Sequence, residues 1–240
     1  MLRIVAQAGP QGASPTEIGH VEQLSRSTVH RILKCLVDEG LLERDDDGRR
    51  YRMGPLIHEL SLLPAPSALE VVRWRPVVEA VARRTGVTAY LMRRSGLEAG
   101  CLIKVDGDSA VRFVPVEVGQ RRPLGVGAGA TALLAALAPE QIDEVIRMIT
   151  PNLEHYPRIN AASLHAAVEQ VQRTGFAVSR GAVVPDGFGL GAIIPTTAGV
   201  PHLAISLAAH ASAVTDAAIA KWKDTLAQAV RTGLATEGAG

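Results

Sequence analysis

Between residues 25 and 39 the apolar positions follow a helical period. They recur at the i, i+3, i+4, i+7, i+8 spacing of a helix that buries one stripe, and they are Val29, Ile32, Leu33, Leu36 and Val37. The opposite side of the same helix carries polar and basic residues, namely Arg26, Ser27, His30, Arg31 and Lys34. The pattern therefore predicts a helix that packs on one face and offers hydrogen-bond donors on the other.

A preceding helix is predicted by a capping box. Ser14 and Glu17 have the spacing at which each side chain bonds the other's backbone N–H, and the proline between them suits a first helical position. Ile18 and Val21 of this helix are expected to face inward. Gly40 is placed to end the later helix in a left-handed cap. The two helices form a helix-turn-helix pattern.

Two short strands are predicted next, at 41–44 and 50–53, around an Asp-Gly pair that favours a tight hairpin turn. With a first helix over residues 1–9, they complete the pattern of a winged helix-turn-helix. Residues 25–35 hold three basic and no acidic side chains, whereas residues 1–55 hold eight of each sign. Because the positive charge is concentrated on one helix, DNA binding is favoured over a solvated polar face. Contacts to bases or phosphates are expected from Ser25, Arg26, Ser27, Thr28, His30 and Arg31, and contacts to phosphates from Lys34, Arg49 and Arg50.

Composition narrows the picture further. The 240 residues suit two domains, and 47% hydrophobic with 3% aromatic residues predicts cores of small aliphatic side chains. Cys35 and Cys101 are far apart, with no metal-ligand spacing around them, so both are expected to be buried structural thiols. The chain shows neither a membrane-spanning apolar run nor a signal-peptide pattern, and we expect a soluble cytoplasmic protein.

The pattern changes after residue 54. Residues 55–63 form a short amphipathic helix, and the prolines at 64 and 66 end it, so that 55–66 is interpreted as a stiff linker. A hydrophobic helix that cannot bury itself alone indicates a dimer contact. Residues 67–240 predict a mixed α/β domain. Its expected helices are 68–84, 127–137, 139–149, 161–174 and 216–232. Its expected strands are 87–93, 101–105, 111–114, 176–179, 190–194 and 202–207.

Three groups of residues carry a resemblance to a known family. The first comprises Ser25-x-Ser-Thr-Val-His-Arg-Ile-Leu33, Leu36-x-x-x-Gly-Leu-Leu42 and Tyr51-Arg-Met-Gly54. The second is Arg122-Pro-Leu with the small-residue run 125–130, and the third is Gly175-Phe-Ala-Val178 with Gly189–Pro195. Together they are similar to the IclR family of bacterial transcription regulators, over nearly the whole chain. The resemblance implies an α+β protein, in which an N-terminal winged helix-turn-helix (1–54) is joined by a helical linker (55–66) to a GAF-like α/β effector-binding domain (67–240), with helices on one face of its sheet. Members of this family usually have more residues before the first helix, so the N-terminal segment of this chain is expected to be short.

The resemblance also implies an effector site. Matched residue by residue, the family's effector-binding positions fall on Ala128, Gly129, Ser179, Gly189, Ser206 and Ala208. From physics alone, the bare helix start at 125–130 suits a carboxylate and close packing onto a sheet equally well. Ser179 stands where an acidic residue is usual, Gly189 where a cysteine can occur, Thr131 where a lysine is common, and Ala208 lacks a hydroxyl. These departures favour an effector that is less polar or larger than a small keto acid, such as an organic acid or an aromatic metabolite. Phe188 is expected in the pocket wall, and Leu102 and Phe113 in the core.

No catalytic, metal or cofactor site is expected. The histidines are scattered, and HExxH, GxSxG and P-loop motifs are absent from the sequence. The alternate glycines of 187–191 precede a predicted strand and do not form a dinucleotide fingerprint. Arg121 and Arg122 lie on a predicted loop and are expected to be solvated, with an anion clamp as the alternative. The sequence thus indicates a ligand-responsive regulator that binds double-stranded DNA at a pseudo-palindromic operator as a homodimer or homotetramer. The alternatives are a metabolite-sensing module whose winged helix binds protein and, less favoured, an enzyme with a regulatory N-terminus.

Overall fold

The computed structural model describes residues 1–45, 47–62, 66–109, 116–196 and 199–235. The chain divides into two compact units, Met1–Leu69 and Glu70–Gly240. The elements of the first unit are α1 (Leu2–Gln7), α2 (Pro15–Glu22), α3 (Arg26–Asp38), β1 (Leu42–Arg44), β2 (Tyr51–Met53) and α4 (Pro55–Leu62). Its core consists of Val5, Ala13, Ile18, Val29, Leu33, Leu42 and Tyr51.

Local signals in the first unit set the helix ends. In the capping box, the Ser14 amide donates to Glu17 Oε2 over 2.7 Å, and the Glu17 amide donates to Ser14 Oγ over 3.3 Å. Gly40 has a φ of 70°, and its amide returns to the Val37 carbonyl at the end of α3. The predicted helix start and the predicted left-handed cap are both confirmed.

Two predictions of burial in this unit are wrong. Helix α2 contacts α3 on its Gly19 side, where an added Cβ would lie 3.3 Å from Val29. Val21 lies about 200° further round the helix from Gly19, and it is 64% exposed. Cys35 is likewise exposed, because it lies two residues beyond the buried Leu33 on α3.

The second unit is a six-stranded antiparallel sheet with helices around it. Its strands are β3 (Thr88–Ser95), β4 (Glu98–Val105), β5 (Arg121–Pro123), β6 (Ala177–Arg180), β7 (Gly187–Ile194) and β8 (Leu203–His210). Their order in the sheet is β5-β4-β3-β8-β7-β6. Its helices are α5 (Pro66–Thr85), whose first four residues belong to the first unit, α6 (Ala128–Ala135), α7 (Pro139–Ile149), α8 (Ala161–Thr174) and α9 (Asp216–Ala235).

Helices cover both faces of this sheet, so the expectation of helices on one face is wrong. Residues 89–92 of β3 are all buried, which is typical of a strand packed on both sides. Tyr90 and Met92 belong to the core shared with α6, α7 and α8. Ala89 and Leu91 belong to the opposite core, which α5 and α9 complete.

Helices α7 and α8 have their predicted bounds, whereas the strands differ more. Strand β7 begins three residues earlier than predicted, and β8 continues to His210. Strand β5 was expected to be a loop. The strand predicted at 111–114, which contains Phe113, lies outside the described residues. Within the described part of the chain, no helix has the length and apolarity to cross a membrane.

Candidate functional sites

The start of α3 presents a cluster of hydroxyl groups. The Thr28 amide donates to Ser25 Oγ over 3.3 Å, so Ser25 caps the helix. The same oxygen lies 3.1 Å from Ser27 Oγ and 2.9 Å from Thr28 Oγ1. Ser25 is thereby held in the cap, and Ser25 and Ser27 are both exposed, whereas Thr28 is half-buried.

The basic face of α3 is open in this unit. Arg26, His30, Arg31 and Lys34 are exposed, whereas Thr28 is half-buried. Because the apolar stripe holds the helix through Val29 and Leu33, the basic side chains share the outward side, as predicted.

A surface pocket is lined by residues of α2, the start of α3 and the hairpin turn. Its lining residues are Ser14, Pro15, Thr16, Gly19, His20, Leu24, Arg26, His30, Gly48 and Arg49. It brings Arg26, His30 and Arg49 together with Thr16 and His20, which were absent from the predicted set. The i, i+4 spacing of Thr16 and His20 on α2 would have indicated that they share a face.

The hairpin turn is held by Asp45. Its Oδ1 accepts from the Arg49 amide over 2.8 Å and from the Arg50 amide over 3.0 Å. The hydrogen bond from the Arg50 amide is the largest cause that lowers the pKa of Asp45. The Arg49 side chain is left exposed at the turn.

The Arg50 guanidinium, which was expected to contact phosphate, is bonded within the first unit. Its Nε donates to the Gln11 carbonyl over 2.9 Å, and its Nη2 donates to the Gly12 carbonyl over 2.9 Å. The same Nη2 pairs with Glu17 Oε2 at 3.1 Å. This guanidinium ties the hairpin to the segment before α2, and a phosphate contact by Arg50 stays a prediction.

The second unit contains a cavity between the sheet and the start of α6. All six residues matched to effector-binding positions line it: Ala128, Gly129, Ser179, Gly189, Ser206 and Ala208. Its space unoccupied by atoms is about 540 Å³, part of it open to solvent. Phe188 is among the lining residues, but its ring packs 5.9 Å from that of Trp222 in the opposite core, where Leu102 also packs.

Sheet register explains why residues so distant in the chain meet here. Ser179 of β6, Gly189 of β7 and Ala208 of β8 are direct cross-strand partners. Tyr90 of β3 is in turn opposite Ser206 of β8. Because directly opposed residues share a face, these side chains all point to the side on which α6 packs.

Glycines let the start of α6 approach the sheet closely. A Cβ on Gly191 would lie 2.7 Å from the Ala128 carbonyl oxygen, and one on Gly189 would lie 3.1 Å from Ala128 Cβ. A Cβ on Gly129 would lie 2.9 Å from Ser206 Oγ. The alternate glycines thus lie within β7, and they clear one face of the strand for the helix. Thr131, at the position of the family's lysine, donates to the Gly125 carbonyl over 3.0 Å.

Two polar residues of the cavity were absent from the predicted effector set. Tyr90 is 2% exposed, and its hydroxyl is buried with no hydrogen-bond partner among the described residues. Arg122 lines the same cavity from β5 and is half-buried, which corrects the expectation that it is solvated. Burial raises the pKa of the Tyr90 hydroxyl and lowers the pKa of the Arg122 guanidinium.

Among the described residues, no three His, Cys, Asp or Glu side chains come together as a metal ligand set.

Two family models match the chain. The IclR helix-turn-helix domain matches residues 1–46, and the bacterial transcriptional regulator IclR C-terminal domain matches residues 68–232. An HTH-type transcriptional regulator of Mycobacterium tuberculosis is 32% identical over 181 residues, which are 75% of this chain and 68% of that protein. The HTH-type transcriptional regulator BhcR of Paracoccus denitrificans is 26% identical over 226 residues, which are 92% of this chain and 79% of that protein.

Solved structures show the same fold. A putative IclR transcriptional regulator from Silicibacter superposes with a TM-score of 0.76 at 22% identity, covering 92% of this chain and 87% of that one. An IclR homologue from Microbacterium hydrocarbonoxydans, solved in complex with 4-hydroxybenzoate, has a TM-score of 0.71 at 22% identity, covering 93% and 92%.

Proposed function

The chain belongs to the IclR family of bacterial transcriptional regulators, and on that premise we propose that it is a ligand-responsive regulator in the cytoplasm. Two copies of α3 bind the two halves of a pseudo-palindromic operator. A small organic acid or aromatic metabolite in the cavity of the second unit changes the affinity for that operator. The assembly is a homodimer or a pair of such dimers.

The exposed basic face of α3 carries the DNA part of the proposal. A recognition helix contacts base edges mainly through its N-terminal residues, while the preceding helix crosses the phosphate backbone. Arg26, Ser27, His30 and Arg31 occupy the corresponding part of α3, and Thr28 lies beside them. Lys34 and the hairpin residue Arg49 are exposed and basic, which suits phosphate contacts.

The cavity supports the effector part of the proposal. The six matched residues line one space between the sheet and α6, and 4-hydroxybenzoate, bound to the Microbacterium homologue, is a small organic acid. A ligand shifts an equilibrium only by its differential affinity for the two states. The effector therefore has to bind the DNA-competent and DNA-incompetent forms of the protein with different affinities.

Exposed apolar residues support a dimer. Leu60 and Leu62 of α4 are 48% and 71% exposed, and Leu69 of α5 is 66% exposed. Three large apolar side chains left exposed in so short a stretch of sequence favour a contact with another chain. A two-fold operator needs two copies of the recognition helix, which such a contact supplies.

The test measures binding of the purified protein to the duplex upstream of its own coding region, by fluorescence anisotropy, with a scrambled duplex as control. Selective binding that weakens steeply with salt is expected, because a protein that makes six to ten phosphate contacts loses about 10³–10⁵ in affinity between 50 and 200 mM salt. No preference for that duplex at any salt concentration contradicts the proposal for that duplex. Salt-insensitive binding to a protein partner would favour the interaction-module alternative.

A matched pair of variants assigns the helix. Arg31→Ala is expected to remove selective binding, whereas Arg147→Ala, an exposed arginine on α7, is expected to leave it unchanged. Equal operator affinity in Arg31→Ala and the parent protein would refute the role of α3.

A further inference from the structure

Adjacent arginines of β5 have different surroundings. Arg121 is exposed and lies 3.6 Å from Glu98 Oε2, an ion pair at the surface. Arg122 is opposite Ala99, a residue of the core on the α6 side, and it contributes to the cavity wall. In the described part of the chain no carboxylate lies within ion-pair distance of Arg122. A half-buried cation that has lost part of its hydration and lacks a counter-ion favours an anion beside it.

Tyr90 supplies a second, independent observation. Its hydroxyl is buried in the same cavity wall, without a hydrogen-bond partner among the described residues. A buried hydroxyl of this kind costs free energy unless an acceptor reaches it. Tyr90 and Arg122 are close enough to influence each other electrostatically. One ligand group that is both negatively charged and an acceptor would satisfy both.

The rest of the cavity restricts the ligand's body. Apart from Tyr90, Arg122 and two serines, the side chains in the wall are apolar, among them Met92, Val116, Val126, Ala182, Val183 and Val184. An apolar wall selects for apolar surface on the ligand. Among the described residues Arg122 is the one cation in the wall, so a second negative charge on the ligand would be buried unpaired beside them. A monoanion therefore fits better than a phosphate ester or a dicarboxylate.

We propose that the cavity takes an apolar monocarboxylate, whose carboxylate is bound by the Arg122 guanidinium and accepts a hydrogen bond from the Tyr90 hydroxyl. Two parallel N–H···O bonds from the guanidinium fit a carboxylate well. The ligand's apolar body lies against Met92, Val126 and Val183. This inference rests on the proposed function, because it names the chemical class of its effector and the two residues that recognise the charged end.

The experiment uses the full-length protein without DNA and measures binding by isothermal titration calorimetry. The probes are benzoate and hexanoate, their neutral counterparts benzamide and hexanamide, and acetate, which has the charge without the apolar body. We expect at least one of benzoate and hexanoate to bind, and its amide and acetate to bind at least about tenfold more weakly, since a hydrogen bond to a charged group contributes about 1.5–3 kcal/mol.

Variants locate the carboxylate. Arg122→Gln is expected to lower the affinity for the bound carboxylate at least about tenfold, while Arg121→Gln, its exposed neighbour, retains the parent affinity. Tyr90→Phe is expected to lower the affinity several-fold without changing the affinity for the amide. If Arg122→Gln does not fold, Arg122→Lys replaces it, because lysine keeps the charge but loses the paired geometry and should bind with intermediate affinity.

Three results would overturn the inference. They are the absence of binding by both benzoate and hexanoate at millimolar concentration, equal binding of carboxylate and amide, and equal loss of affinity in Arg121→Gln and Arg122→Gln. Because the titration contains no DNA, each of these results is independent of operator binding. If the protein fails to select its duplex, that result contradicts the proposed function. The calorimetric data then still decide whether the cavity binds a carboxylate.

Discussion

Replacement of Tyr90 by phenylalanine is expected to stabilise the ligand-free protein. The substitution removes only the hydroxyl, which is buried with no hydrogen-bond partner among the described residues, and it keeps the ring in the core. A buried polar group without a partner costs about 1–3 kcal/mol. Because the ring volume is nearly unchanged, no offsetting cavity term arises. The free energy of unfolding of the second unit should therefore rise by about 1 kcal/mol, which corresponds to about 2–4 °C in melting temperature for a domain of this size.

Tryptophan fluorescence is a suitable assay, because the chain's two tryptophans, Trp74 and Trp222, both lie in the core of the second unit. Their emission during urea or thermal unfolding reports that unit. The control is Tyr156→Phe, since Tyr156 is half-buried and its hydroxyl is not among the buried unpartnered groups. A change within about 0.5 kcal/mol is expected for it. A loss of stability in Tyr90→Phe would refute the reasoning, because it would show that the hydroxyl has a partner in the ligand-free protein, such as an ordered water.

Three further predictions concern packing and titration. Gly191→Ala should destabilise the second unit by about 1–3 kcal/mol, because its Cβ would lie 2.7 Å from the Ala128 carbonyl oxygen; unchanged urea unfolding would contradict this close packing. Cys35, which is exposed, should react with a thiol reagent in the native protein, whereas the buried Cys101 should react only on unfolding; equal rates of labelling would disprove the difference. Burial raises the pKa of Cys101 from 9.0 to about 12, and it raises the pKa of Tyr90 as well. Because the unfolded chain releases these protons at lower pH than the folded chain, the free energy of unfolding should keep its full value below pH 9 and fall as the pH rises towards 12. A Cys101→Ala variant should show a shallower fall.

Helix positions could be predicted well where local signals mark both ends. Helix α7 has Pro139 at its first position, and α8 has the Asn160 cap and ends before Gly175 in the left-handed region. Both helices have the predicted bounds. The polar face of α3 was predicted from a different signal, the helical period of its apolar residues. Val21 and Cys35 were predicted wrongly, because the side on which a short helix packs depends on its neighbours and not on its own period.

The cavity was predictable only in part. The six matched positions, which came from family resemblance, do line one space. Tyr90 was missed, and Arg122 was considered as an anion clamp only as the alternative to a solvated residue, because sheet register, not sequence spacing, brings β3, β5 and β8 to one face. Nothing local distinguishes Arg122 from Arg121, and only the pairing of β5 with β4 assigns them to different surroundings.

The alternate glycines of β7 bear on how ligand preference in this fold can be redesigned. Where Gly189 and Gly191 meet the start of α6, the cavity's floor is largely main chain, and a larger side chain there would collide with helix backbone or with Ala128. Main-chain atoms are the same whichever residue is encoded, so this part of the cavity offers little for substitution to vary. Libraries intended to change the ligand should therefore leave the floor intact and randomise side chains of the apolar wall, at positions such as Met92, Val126 and Val183. In this fold, the main-chain floor of the cavity is thus fixed, and the side chains of its wall are the part that substitution can vary.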